Sequence, residues 1–585
     1  MYSVMPRPLI SILLPALLAA CAATTPVELS PPSAAVEPEH VEPVEAVEID
    51  VPERPFPSDS LYDLLVAEFA LRRSAYDVAL ENYREQAPIL DDPGVYAHTT
   101  HLAQFMRDED SILEAATMWA EAEPDNLEVN SVLANLLTRK GRVVEALPHL
   151  AVVGRSGGKA QYPMLLNGYR TLDAQDKAKL TAGIDALALE FPTDVQILLT
   201  QALIKGEQGR AEEALDKLNA IFDQEPYQDQ AVLLETKILV ERGTEKPFAR
   251  LKKALELKPD DTRLRLQYAR LLTRTDLVEA QKQFEILSAE SPRDGDLLFS
   301  LALLSRETGE SDKAKTYLRE MLSLGQRVND GQYYLGRIAE EGGELDEAIS
   351  HYAKVDSGGD FFSAHNRIGT ILVKENRLEQ MGSHFAKLRD RKKEFRTQLY
   401  GLEIDLLTKA GLNESAMKRV NESLLEFPKS TALLYTRSML QEKRDNLVAM
   451  ERDLRTVIAL EPDNATALNA LGYSLANRTD RFEEAHALIS KALKLQPEEP
   501  AILDSMGWVL YRQGSYEEAI EFLTRAYIGY PDPEVAAHLG EVLWITGQIS
   551  KAKDVWRGAL LKDPEHEILA STLKRLGIED LEVSD

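Results

Sequence analysis

A proline recurs every 33 to 35 residues toward the end of the chain, and this period limits the possible folds more than any other feature. Each of the three units between Pro462 and Pro564 carries an early glycine and then two alanines seven residues apart. The three sets are Gly472, Ala485 and Ala492; Gly507, Ala519 and Ala526; and Gly540, Ala552 and Ala559. A period of about 34 residues predicts a stack of supersecondary units, because one unit alone cannot bury its apolar side chains.

The residues inside one unit predict two amphipathic helices joined by a short turn. In the middle unit, apolar residues recur at helical spacing in each half: Ile502, Leu503, Met506, Val509 and Leu510, and then Ile520, Leu523 and Tyr527. We expect Gly514 to end the first helix in the left-handed conformation and Pro531 to separate this unit from the next. The small residues Gly507 and Ala519 are expected where the two helices cross with little room.

The same register extends back through the chain and predicts a long array. Prolines in phase with it are Pro124, Pro192, Pro226, Pro259, Pro292 and Pro428. Residues 58–564 therefore divide into about 15 slots of about 34 residues each. The slots 161–192 and 361–394 fit the pattern least. Residues 565–585 are expected to form a capping helix and an acidic tail, and the apolar stripe of that helix is Ile568, Leu569, Leu573 and Leu576.

This pattern resembles the tetratricopeptide repeat family, because the small residues and prolines recur in register. The resemblance implies an all-α superhelical solenoid, in which the first helix of each pair lines a concave groove that binds partner proteins. Counted from Gly507, the candidate partner-binding residues are Asn469, Tyr473, Asn477, Asp504, Trp508, Tyr511, Arg512, Glu541 and Trp544. Aromatic and arginine side chains on an open surface are frequent binding anchors. For Trp544, packing in the core is an equal alternative.

The first 20 residues are similar to a bacterial lipoprotein signal. Arg7 supplies a positive flank, and residues 9–20 form an apolar run that is shorter than the about 20 residues of a membrane-spanning helix. The run Leu18-Ala19-Ala20-Cys21 resembles a lipobox, which implies a covalent lipid on Cys21, the sole cysteine. The alternative is an ordinary signal with an incidental cysteine. Ala22, which follows Cys21, favours the outer membrane because the inner-membrane retention signal typically has Asp there.

Composition predicts a disordered tether after the cysteine. Residues 22–57 hold 8 prolines and 8 acidic residues, with Arg54 as the one basic residue. Such a segment cannot bury enough apolar surface to fold, so we assign residues 21–57 to a lipid-anchored tether. The net charge of the whole chain, −29, argues against nucleic acid as a partner, because phosphate binding needs clustered basic residues.

The sequence carries no complete catalytic or metal-binding motif, so we expect a protein that is not an enzyme and has no metal and no cofactor apart from the lipid. His98 and His101 lie one turn apart, but two polar residues on a helix face explain them better than a metal site. One dense basic run is a candidate binding site for an anionic partner or for lipid headgroups, although a solvated helix end is the simpler interpretation. Its members are Arg389, Arg391, Lys392, Lys393 and Arg396.

The lipobox, tether and repeat array together resemble periplasmic lipoprotein adaptors that partner carboxyl-terminal processing proteases. The resemblance implies a non-catalytic outer-membrane scaffold that brings such a protease together with peptidoglycan hydrolases as substrates. Its expected partners are therefore periplasmic proteins. The alternative is an assembly factor for an envelope secretion, pilus or exopolysaccharide machine.

Overall fold

The computed structural model describes residues 57–578, and within this range the regular structure is entirely helical. The prediction of an all-α repeat fold is confirmed. Contacts divide this part of the chain into two compact units, residues 57–291 and residues 292–578. The signal, Cys21, all but the last residue of the tether, and residues 579–585 of the acidic tail lie outside the described residues.

The N-terminal unit contains thirteen α-helices within residues 57–291. They are α1 (Ser60–Arg72), α2 (Tyr76–Leu90), α3 (Pro93–Met106), α4 (Glu109–Ala122), α5 (Leu127–Arg139), α6 (Val143–Arg155), α7 (Ala174–Glu190), α8 (Val195–Glu207), α9 (Ala211–Phe222), α10 (Asp229–Glu241), α11 (Ala249–Leu257), α12 (Thr262–Leu272) and α13 (Leu277–Glu290). Successive helices pack in pairs, such as α1 with α2 and α3 with α4, because short loops join antiparallel neighbours.

One slot of the N-terminal unit departs from this pattern. Two 3-10 turns, Tyr162–Leu166 and Tyr169–Thr171, occupy the place of a first helix, and α7 follows as the second helix. This is the slot 161–192, one of the two that fit the sequence pattern least. The other, 361–394, contains an ordinary helix pair, α18 and α19.

The C-terminal unit contains eight helix pairs, one further helix and a short 3-10 turn, Lys393–Phe395. The helices are α14 (Gly295–Glu307), α15 (Ser311–Ser323), α16 (Val328–Glu341), α17 (Leu345–Tyr352), α18 (Phe361–Lys374), α19 (Leu378–Arg391), α20 (Arg396–Lys409), α21 (Asn413–Glu426), α22 (Thr431–Lys443), α23 (Leu447–Leu460), α24 (Ala465–Arg478), α25 (Phe482–Leu495), α26 (Pro500–Gln513), α27 (Tyr516–Gly529), α28 (Pro533–Ile545), α29 (Ile549–Lys562) and α30 (Glu567–Arg575). One apolar cluster extends through residues 333–573 of this unit, so neighbouring pairs share a continuous core.

The repeated glycines lie where helices approach most closely, as the spacing predicts. A Cβ atom added to Gly507 on α26 would stand 2.5 Å from Cγ of Leu523 and 3.0 Å from the backbone oxygen of Ala519, both on α27. Gly514 ends α26 with a φ of +86°, a left-handed conformation that glycine adopts without strain. The small residues and the turn glycine therefore set how each pair folds on itself.

Surface ion pairs join successive helix pairs at intervals of about one repeat. Examples are Arg84 with Glu114 at 2.7 Å, Arg242 with Glu212 at 2.6 Å, and Arg481 with Glu451 at 2.9 Å. Exposed pairs of this kind contribute about 0–1 kcal/mol each, so burial of the apolar core dominates the stability. None of the helices within residues 57–578 combines the length and the apolar character needed to cross a membrane.

Candidate functional site

The predicted partner-binding residues lie on the first helices of three consecutive pairs. Helix α24 carries Asn469, Tyr473 and Asn477, helix α26 carries Asp504, Trp508, Tyr511 and Arg512, and helix α28 carries Glu541 and Trp544. Helix α26 contacts both α24 and α28, so the side chains of the three helices meet. We call these nine residues and His538 the first-helix cluster.

His538 on α28 is the centre of the cluster. Its Nδ1 lies 3.0 Å from both carboxylate oxygens of Asp504, and its ring stacks on Trp508 with the centroids 4.2 Å apart. On the opposite side, the Tyr473 hydroxyl lies 3.4 Å from Nε2 and donates a 2.9 Å hydrogen bond to Glu534. Tyr473 thus connects α24 to α28, two pairs further along the chain.

Burial and the neighbouring carboxylates have opposite effects on the pKa of His538. Burial lowers the pKa of His538, but the Asp504 carboxylate and the nearby Glu534 and Glu541 outweigh burial and leave that pKa above its usual value. Burial and Glu534 together raise the pKa of the Tyr473 hydroxyl. An imidazolium enclosed by carboxylates is favoured over a neutral ring, so the Asp504–His538 contact is a buried ion pair when His538 is protonated.

A second hydrogen-bond network ties the last helix of the structure to the cluster. The Glu541 carboxylate accepts a 3.0 Å hydrogen bond from the Tyr511 hydroxyl and a 2.8 Å hydrogen bond from Arg575 on α30. Arg512 donates to the backbone oxygens of Ala476 and Asn477 at 2.7 and 3.3 Å. These bonds fix the positions of α24, α26, α28 and α30 relative to one another.

Burial separates the predicted residues into two groups. Glu541, Asp504 and Trp508 are 1%, 6% and 7% exposed, so neighbouring helices already cover them. Asn477 is exposed, whereas Asn469, Tyr473, Tyr511, Arg512 and Trp544 are half-buried. Within residues 57–578, no hydrogen-bond partner reaches Nε1 of Trp508 or Oδ1 of Asn469. A partner protein would therefore touch Asn477 and the half-buried residues first.

The geometry of the cluster is that of a packing network and not of an activated nucleophile. The hydroxyl of Ser505, beside Asp504, donates to the Ala501 backbone oxygen at 2.8 Å and not to an imidazole. A nucleophile of this type needs a base within hydrogen-bond reach. Across residues 57–578, no three His, Cys, Asp or Glu side chains come close enough to hold a metal ion.

Comparison with known proteins identifies the fold. A family model described as "Tetratricopeptide repeat" matches residues 306–360, 451–500 and 478–534. The TPR repeat-containing protein PA4667 of Pseudomonas aeruginosa is 39% identical over 546 residues, which cover 92% of each chain. The chain belongs to the tetratricopeptide repeat family. This membership implies a scaffold for protein–protein interaction.

More distant relatives share the tetratricopeptide repeat name. The TPR repeat-containing protein YpiA of Bacillus subtilis is 23% identical over 375 residues, which cover 62% of this chain and 86% of YpiA. Among solved structures, yeast Tom70 is similar over 88% of this chain and 99% of its own, with 15% identity and a TM-score of 0.30. At that score the likeness carries no argument about function.

The basic run of this tetratricopeptide array is largely neutralised by its own carboxylates. Arg389 is buried against Glu403 with 2.5 Å between charged atoms, and Lys392 lies 2.8 Å from Asp356. Arg396 pairs in the same way with Glu426. Because these side chains already form ion pairs with carboxylates, the run offers little free positive charge to an anionic partner.

Two pairs of histidines in the array differ in their surroundings and in the distance between the two rings. His101 forms a 2.8 Å contact with Glu128, while His98 packs against the ring of Tyr83, so the pair does not converge on one point. The sequence analysis did not single out His365 and His384, whose Nδ1 and Nε2 atoms lie 3.1 Å apart between α18 and α19. Burial and the His384 ring lower the pKa of His365 to about 3, and burial lowers the pKa of His384 to about 4, so the neutral form of both rings is favoured near pH 7.

Proposed function

We propose that this tetratricopeptide repeat protein is a non-catalytic scaffold that a lipid on Cys21 anchors to the outer membrane. In this proposal it binds a carboxyl-terminal processing protease and brings it together with peptidoglycan hydrolases as substrates. The observation that carries the proposal is the length of the array: helix pairs fill two compact units, each with its own apolar core. Separate stretches of one chain then have room for separate proteins.

The physical advantage of such a scaffold is effective concentration. Two proteins that bind one chain meet intramolecularly, at an effective concentration that reaches about the millimolar range where the geometry permits. The sequence at Leu18-Ala19-Ala20-Cys21 and the Pro- and Glu-rich residues 22–57 support an anchored location. A protease and its substrates beneath the outer membrane would then act where the cell wall lies.

Reconstitution tests the proposal through its dependence on scaffold concentration. The purified full chain is titrated into a mixture of a candidate protease and a wall hydrolase, and the rate of hydrolase degradation is measured. We expect the rate to rise by at least about tenfold and then to fall when excess chain binds protease and substrate on different molecules. A rate that rises and stays level would indicate an activator of the protease, and no acceleration with no co-elution would refute the adaptor function.

A matched pair of variants tests whether the first-helix cluster contributes to binding. Asn477→Trp adds bulk at the exposed position of the cluster, whereas Thr524→Trp adds the same bulk at an exposed position on α27, a second helix. We expect Asn477→Trp to lower the affinity for one partner by at least about tenfold. Thr524→Trp should leave the affinity for both partners unchanged. Equal affinities for the two variants in a binding titration would remove the cluster from the partner-binding surface.

A further inference from the structure

The first helix of the array exposes an apolar stripe that no described residue covers. On α1, Leu61, Tyr62, Leu65 and Phe69 are 54%, 72%, 48% and 58% exposed. Their spacing of three and four residues puts them on one face of the helix. The opposite face is buried through Ala67 and Ala70. Helix α1 is therefore apolar on both faces, a pattern typical of a helix that is covered on both sides.

The other end of the array differs in this respect. Helix α30 buries Leu569 and Leu573 and exposes Glu567, Lys574 and Arg575. A polar outer face is what the terminal helix of a repeat stack needs for solubility. Because α30 has this face and α1 lacks it, the exposed stripe of α1 is not a general property of the ends of this array.

We propose that the α1 stripe is a self-association surface, on which α1 of a second copy of this chain packs antiparallel around a two-fold axis at Leu65. The stripe is symmetric about that residue. Leu61 lies four positions before Leu65 and Phe69 four positions after it, so each Leu61 meets Phe69 of the other copy. A two-fold interface needs this self-complementarity, because the same surface must fit itself in reverse.

Polar residues at the ends of the stripe obey the same symmetry. In the antiparallel pair, Arg72 of one copy lies opposite Ser58 of the other copy, and Asp59 is next to that Ser58. The basic end of one helix therefore approaches the acidic start of the other. Opposite charges meet at both ends of the antiparallel pair, whereas a parallel pair would bring like charges together. The charges therefore favour the antiparallel arrangement.

The apolar area suits a modest dimer of two chains. Aromatic side chains bury about 150–250 Å² each and leucines somewhat less, so the four half-exposed members leave roughly 400 Å² per chain. A symmetric pair then covers about 800 Å² before the polar ends are counted, which is below the about 1,000 Å² that a stable interface exceeds and corresponds to a weak, concentration-dependent dimer. A lipid surface is a poorer match, because helices that lie on membranes are rich in Lys and Arg on the polar face, whereas α1 carries Asp63 and Glu68.

Charge substitution at the two-fold position tests the proposal, because that residue meets its own copy. In the full chain with Cys21→Ser, sedimentation velocity over a range of concentrations measures association. We expect the parent to dimerise and Leu65→Asp or Leu65→Lys alone to weaken dimerisation by at least about tenfold. An equimolar mixture of the two variants should dimerise again, because Asp then faces Lys. Leu425→Asp, at an 86% exposed position on α21, is the control and should leave dimerisation unchanged.

Other occupants of the stripe give different results in the same experiment. A parent chain that stays monomeric at every concentration would overturn the proposal, and so would a mixture that associates no better than either variant alone. Flotation of the monomeric parent with vesicles of phosphatidylethanolamine and phosphatidylglycerol, lost in Leu65→Asp, would assign the stripe to lipid instead. A monomeric parent that does not float would point to coverage by the chain's own residues 21–56.

Discussion

Gly507 offers a direct test of how tightly the helix pairs are packed. The change Gly507→Ala adds one methyl group to α26 at the point where it crosses α27. That carbon would stand 2.5 Å from Cγ of Leu523 and 3.0 Å from the backbone oxygen of Ala519. Ordinary carbon contacts lie at about 3.5–4.0 Å, so the neighbouring atoms must move by roughly 1 Å.

The movement cannot be absorbed by a side chain alone. Leu523 is fully buried, and the Ala519 oxygen belongs to the backbone of α27, so the two helices must separate. Overpacking of this kind costs about 1–3 kcal/mol, while replacing glycine by alanine inside a helix recovers about 1 kcal/mol. We expect a net loss of about 0–2 kcal/mol in the free energy of unfolding of the C-terminal repeats.

The matched control is Gly401→Ala on α20. Nothing lies within 4 Å of a Cβ atom at Gly401, so the same substitution there should stabilise the protein by about 0.5–1 kcal/mol. Urea unfolding followed by tryptophan fluorescence suits the test, because Trp508, Trp544 and Trp556 all lie in the last helix pairs. Hydrogen exchange then shows whether the loss stays near α26 and α27, as nearest-neighbour stacking requires.

The reasoning would be refuted if Gly507→Ala stabilised the protein as much as Gly401→Ala does. An even loss of protection over the whole C-terminal unit would contradict local stacking instead, because a stack of repeats loses stability first where the damaged pair lies. In that case the helix pairs would unfold as one cooperative body.

Two further predictions concern the anchor and the buried ion pair. Cys21→Ser should prevent lipid attachment and release the protein from the outer membrane or leave it unprocessed; a variant that stays in the outer-membrane fraction after a high-salt wash would contradict this. His538→Gln should destabilise the C-terminal unit most below about pH 6.5 and progressively less as the pH rises through the raised pKa of folded His538, because protonated His538 is stabilised by Asp504. Urea midpoints of parent and variant at about pH 6 and pH 9 measure this, and a difference that grows toward pH 9 would show that the neutral ring is the stabilising form.

Local features of the structure could be predicted from the sequence because they depend on residues close together in the chain. A period of about 34 residues, with small residues and prolines in register, is sufficient to predict helix pairs. The glycine at 507 and the left-handed Gly514 followed from the same spacing, since a crossing within one pair involves residues 12 to 16 positions apart. The break at residues 161–173 was visible as a poor fit to the pattern, but its 3-10 turns were not.

Only the tertiary structure decided which side chains of neighbouring first helices contact one another and which stay exposed. Asp504 meets His538 from 34 residues away, and Tyr473 reaches Glu534 across 61 residues, so both contacts depend on how successive pairs stack. The register predicted candidate groove positions on the first helices, yet the stacking covers Asp504, Trp508 and Glu541 and leaves Asn477 exposed. The repeat period determines which helix carries a residue, because a period is a property of the chain. Exposure depends on the rotation between neighbouring pairs, which many weak contacts set together and which no short stretch of sequence encodes.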